Sequence, residues 1–232
     1  MLIKVSRTPA TRGEAVYDVV RSQLLNGVLR PGQKLRMVEL AGRFGVSQSV
    51  VREALTKLGE RGLVVASPQR GFRVRELSMA DIADLTELRV GIETMALRLA
   101  IERGDIQWET GVISTFHILE RTPVADEEWA ARHRDFHHAL IAGCNNLRLQ
   151  GLVQGLRDSA ELYRQWYLSL VGDDDCDLLA EDRELKDLTL ARDVDAAIEA
   201  QNVHITRTPR QLAALRLRHG LGDLTGPPSS TK

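Results

Sequence analysis

Apolar positions along the chain follow helical spacing almost throughout, with one short exception near residue 65. Between residues 13 and 29, Val16, Val19, Val20, Leu24 and Val28 make an inner stripe. Arg30-Pro31-Gly32 ends it, because Pro31 has no N–H and Gly32 turns. Lys34-Leu35-Arg36 leads into a second helix at about 37–44. Gly45 suits a left-handed helix end and Ser47 an N-cap, so a third helix is predicted over about 48–61, closing at Arg61-Gly62. Its inner face is Val50, Val51, Ala54, Leu55 and Leu58, which leaves Gln48, Ser49, Arg52 and Glu53 exposed near its start. LVVAS and FRVRE, on either side of Pro68-Gln69-Arg70-Gly71, read as a β-hairpin. Three helices and a hairpin in this order make a winged helix-turn-helix, whose third helix presents its N-terminal end to the DNA major groove.

Helical periodicity resumes after Glu76-Leu77-Ser78-Met79, with Ser78 or Asp81 as a cap. Helices are predicted at about 79–103, 106–121, 125–143, 146–170, 177–191 and 194–218. Gly104-Asp105, Arg121-Thr122-Pro123, Gly143 with Asn145, Gly172-Asp173 and Arg192-Asp193 punctuate them. The expected fold is mainly α. A winged helix-turn-helix spans 1–75, a linker 76–79, an all-helical bundle 80–220, and a flexible Gly/Pro/Ser/Thr-rich tail 221–232.

Three bundle helices carry polar groups inside their apolar stripes. In 125–143, Trp129, His133, Phe136, His137, Leu140 and Ile141 share a face, and the two histidines are i, i+4 neighbours with chelating geometry. In 177–191, Leu178, Asp182, Leu185 and Thr189 share a face; in 194–218, Val194, Ala197, Gln201, His204 and Thr208 do. Buried charges are costly unless paired or bound to metal, and one divalent ion would satisfy His133, His137, Asp182 and His204 together. Taken singly, each has an ordinary explanation as a hydrogen-bonded core residue, so the case rests on their convergence.

Composition changes this picture in one respect. Net charge is −1 over 232 residues, but residues 1–75 hold 14 Lys+Arg against 5 Asp+Glu, a net of +9, and the remainder is −10. A basic module joined to an acidic one is the footprint of a nucleic-acid binder carrying a separate, non-nucleic-acid domain. Two cysteines at no metal-like spacing suit a reducing cytoplasm, and no apolar run is long enough to span a membrane. No secretion signal is evident. The HExxH, GxSxG and P-loop patterns are absent, and no paired Glu-x-x-His motif supports a di-metal bundle enzyme, so an enzyme is not expected.

GVLRPGQKL at 27–35 and ELAGRFGVSQSVVREALTKL at 39–58 resemble the DNA-binding domain of the GntR superfamily. That resemblance implies operator contacts from Arg36, Ser47, Gln48, Ser49 and Arg52, with Arg70 and Gly71 at the wing tip near the minor groove. Gln48 stands where the family usually has Arg, and Gln suits adenine rather than guanine. LTELRVGIE at 85–93, FHHALIAGCNN at 136–146 and AIEAQNVHI at 197–205 resemble the all-helical FCD domain of the FadR-like subfamily. In its metal-binding members an Asp precedes the FH histidine by four residues, and two further histidines follow on later helices. Here His133 holds the Asp position and Asp182 a histidine position, so two readings stay open: a compensated ligand exchange, or a site that no longer binds metal.

Three imidazoles and one carboxylate suit Zn²⁺, Ni²⁺ or similar ions. The resemblance places Arg89 near a small organic acid effector, and a salt bridge to Glu93 is its equally supported alternative. It also implies a cytoplasmic homodimer on near-palindromic double-stranded DNA, mostly as a repressor. A regulator for which the ion itself is the signal is the third functional possibility.

Overall fold

The structure is a computed structural model that describes residues 11–67, 71–124, 126, 128–171 and 178–219. Helix α1 (Arg12–Leu25) opens with a capping box: Thr11 accepts from the Glu14 backbone and the Glu14 side chain accepts from the Thr11 N–H. It buries Val16, Val20, Leu24 and Leu25. Val19 and Val28, which spacing places on the inner stripe, are 40% and 64% exposed. The helix ends at Leu25 and Gly27 turns at φ +70°, so Val28 falls beyond the periodic face.

Strand β1 (Lys34–Leu35) is a third strand that the sequence presents only as a lead-in. It pairs Leu35 with Phe72 of β3 (Gly71–Val74), which pairs on its other edge with β2 (Val64–Ser67). Helix α2 (Met37–Phe44) ends on Gly45 at φ +62°, and α3 (Gln48–Glu60) starts from Ser47, whose hydroxyl accepts from the Val50 N–H. Such a cap contributes about 1 kcal/mol. Val51, Ala54, Leu55 and Leu58 are buried and Val50 packs at their edge, as the periodicity requires. This is a winged helix-turn-helix.

Six further helices follow among the described residues: α4 (Met79–Arg103), α5 (Ile106–Arg121), α6 (Trp129–Ala142), α7 (Leu147–Val171), α8 (Leu178–Leu190) and α9 (Val194–His219). Ser78 caps α4 and Asp105 caps α5. Helix α6 begins four residues later than periodicity suggests, because Asp126 forms a turn: its carboxylate accepts from the Glu128 N–H and its carbonyl from the Trp129 N–H. The predicted tail at 221–232 lies outside the described residues.

Among the described residues there are two apolar cores, and α7 belongs to both. Its 25 residues span about 37 Å at 1.5 Å each. Leu149 and Val153 lie in the bundle core. Leu162, Tyr163, Trp166 and Tyr167 lie in the same cluster as Val20 and Leu24 of α1 and Leu55 of α3. Polar contacts reinforce the joint. Arg21 on α1 clamps the buried Asp158 through two bonds of 2.8 and 2.5 Å. The Ser159 hydroxyl donates to the Arg61 carbonyl, and the Tyr163 hydroxyl to Asp81 at 2.6 Å.

Candidate metal centre and nucleic-acid interface

Helix α6 presents His133 and His137 one turn apart on its buried face, with their Nε2 atoms 3.0 Å apart. Trp129 stacks on the His133 ring from the preceding turn. Helix α8 delivers Asp182, fully buried, its two oxygens 3.4 Å from His133 Nε2 and 3.3 Å from His137 Nε2. Helix α9 adds His204. One donor atom from each of the four residues lies within 4.8 Å of all the others. The structure thus brings together the ligand set that the helix faces suggest.

Burial, then the neighbouring His137, pushes the His133 pKa well below its ordinary value; burial, then Arg157, does the same to His137. Both rings are neutral near pH 7, the state a metal ligand needs. Among the described residues, neither Asp182 oxygen has a hydrogen-bond partner, and neither does His137 Nδ1. A buried carboxylate without donors costs on the order of several kcal/mol. The separations of 3.0, 3.3 and 3.4 Å are those of adjacent ligands about 2.1 Å from one ion. By both criteria His133, His137 and Asp182 fit a divalent cation, and His204 brings a fourth donor within 4.8 Å of the other three. Glu181 Oε2 lies 3.1 Å from His204 Nδ1 and 2.8 Å from Arg207, an outer carboxylate that orients the imidazole.

Beside the cluster is a cavity of about 70 Å³, room for about five waters. Five arginines line it: Arg89, Arg134, Arg157, Arg164 and Arg207. Arg89 Nε donates to Glu93 at 2.6 Å, so the cavity position and the salt bridge are both realised. Arg157 pairs with the other Glu93 oxygen at 2.6 Å, and Gln201 donates there too. Burial pushes the Glu93 carboxyl up, but Arg157 and Arg89 outweigh it and hold the group below the usual carboxylate range. Arg164 is held by Glu161. Arg134 makes no ion pair among the described residues, its Nη1 is buried without a hydrogen-bond partner, and burial lowers its pKa.

On the opposite module, Gln48, Ser49 and Arg52 are exposed along the start of α3. Arg52 makes no hydrogen bond or ion pair among the described residues. The Ser47 hydroxyl is occupied by its cap and by Ser49 Oγ at 2.7 Å. Arg36 stands at the start of α2, paired on the surface with Glu39 at 2.8 Å. Gly71 opens β3 at φ +81°, a conformation costly for any residue with a side chain; Arg70 lies outside the described residues.

Residues 12–74 match the bacterial regulatory proteins of the gntR family, and residues 84–207 match the FCD domain. The chain belongs to the GntR family. It is 33% identical over 214 residues to the HTH-type transcriptional regulator BphR of Paraburkholderia xenovorans, covering 88% of this chain and 87% of that one. It is 34% identical over 154 residues to the HTH-type transcriptional repressor GlaR of Escherichia coli, covering 64% of this chain and 70% of the relative. The solved structure of E. coli McbR/YncC shares the fold, with a TM-score of 0.75 at 21% identity over 91% of this chain and all of the other. This GntR-family protein is therefore a DNA-binding transcriptional regulator rather than an enzyme. Among its described residues, no helix is long and apolar enough to cross a membrane.

Several groups around this regulator's cavity escape a reading of helix faces. Glu93 leaves a trace, since it interrupts the stripe of Ala96, Leu97 and Ala100 on α4. Arg157, Glu161 and Arg207 leave none, because each is defined by a partner on the cavity wall rather than by local pattern.

Proposed function

We propose that this regulator senses a small organic acid in the cavity, beside a divalent ion held by His133, His137, Asp182 and His204, and that occupancy changes its affinity for operator DNA. What carries the reading is the cluster itself: four donors within 4.8 Å, one of them from a buried carboxylate neither of whose oxygens has a hydrogen-bond partner among the described residues. The exchange of Asp and His between positions 133 and 182 preserves three imidazoles and one carboxylate, a set suited to Zn²⁺ or Ni²⁺. A bound ion would supply a Lewis-acidic contact for an acid, and Arg89 a cationic one.

On the DNA side, Arg36, Gln48, Ser49 and Arg52 are taken to contact the operator, Ser47 to cap the recognition helix while touching a phosphate, and Arg70 and Gly71 to form the wing tip. A cytoplasmic homodimer would set two recognition helices on a near-palindrome, repression being the mode named for GlaR. The domain division that serves this reading is 1–75 for DNA, 76–79 as connection, 80–220 for sensing and 221–232 as tail. The shared α7 gives the effect a physical route, because that helix forms both a cavity wall and part of the N-terminal core.

Elemental analysis of the purified chain beside His137→Ala and Asp182→Ala tests the metal site. The expected result is about one transition metal per chain, lost in both variants while the helical content persists. Absence of metal even after reconstitution with Zn²⁺ or Ni²⁺ would overturn it and leave the cavity's arginines to recognise the acid alone. If metal alone shifted operator affinity, with no acid present, the ion would be the signal.

A further inference from the structure

We propose that Arg134 forms a second anion subsite in the cavity, so that the ligand of this regulator is a short diacid rather than a monoacid. The inference rests on the acid-sensing reading above and adds to it the chemical class of the acid. Charge balance carries it. Arg89 and Arg157 share Glu93, Arg164 is held by Glu161, and Arg207 by Glu181. Arg134 has no such partner among the described residues, and its Nη1 is shut off from solvent.

The carboxylates whose fields reach Arg134 are Glu161 and Asp158, and both are committed elsewhere. Glu161 accepts from Arg164 and Gln165, and Asp158 from Arg21 and Gln154. A buried donor left unsatisfied costs about 1–3 kcal/mol. A guanidinium offers a planar fork that a carboxylate fills with two parallel bonds. Position supports the assignment. Arg134 lines the same cavity as His133, His137 and His204, so a ligand with one end at the cluster can offer its other end to Arg134. The cavity, about 70 Å³, is suited to a small acid.

The test uses the full chain, with and without added Zn²⁺, titrated calorimetrically with matched probes. These are 2-hydroxy diacids of three to five carbons, each paired with the monoacid in which a methyl group replaces the distal carboxyl, such as malate with 2-hydroxybutyrate. At least one diacid should bind about tenfold more tightly than its pair, the worth of a charge-assisted hydrogen-bonded contact. Arg134→Gln should collapse that ratio towards one without weakening the monoacid, and Arg134→Lys should keep part of it. Thermal melting of both variants checks that they fold. Equal binding of each pair, or a ratio unchanged in Arg134→Gln, would overturn the subsite and leave acid sensing standing. No binding by any probe would overturn acid sensing itself, and the subsite with it.

Discussion

Arg52 is the residue on which the DNA side of this regulator can be judged most sharply. It sits on the exposed face of α3, without a hydrogen-bond or ion-pair partner among the described residues, while Val51 beside it is fully buried. Arg52→Ala should therefore leave the melting temperature unchanged and weaken specific operator binding about 10- to 100-fold, the cost of one base contact, with little effect on random DNA. Equal loss on both DNAs would reassign Arg52 to a phosphate. The four metal-ligand candidates were legible one residue at a time, since each interrupts an apolar stripe at the position its helix buries. Arg134 was not, because what distinguishes it is that Glu161 and Asp158 have been claimed by other side chains. That is a property of assembled helices, invisible to spacing within one of them.

At the scale of elements, long periodic segments declared themselves and short ones did not. The stripes of α4 through α9 are strong enough that tertiary packing only trims their ends. Strand β1 has two residues, too few to alternate, and exists because β3 offers it an edge. Contacts between elements were equally hidden, above all the docking of α1 on α7. The Arg21–Asp158 pair there is part-buried, and removing one partner strands the other. Asp158→Asn should lower the unfolding free energy by about 2 kcal/mol in a urea titration, and Gln154→Ala by less than about 1. An unchanged urea midpoint in Asp158→Asn would assign the docking to Leu162, Tyr163 and Trp166 alone.

Across the whole molecule, a net charge near zero conceals two opposed halves, +9 over residues 1–75 and −10 over the rest. A basic module that neutralises phosphates must displace their counterions. Plotting log affinity for an operator fragment against log salt should give a slope steeper than about −4. A flat response would mean that the basic surface is not what meets DNA.

The sharing of α7 between two cores has a practical consequence for anyone wishing to re-target this sensor. Splicing a relative's DNA-reading segment onto residues 76–219 would set a foreign surface against Leu77, Ile82, Leu162, Tyr163, Trp166, Tyr167 and Leu212, which complete the original segment's interior. A workable chimera is a patchwork in sequence though whole in space: it must carry those seven positions along with the head they belong to.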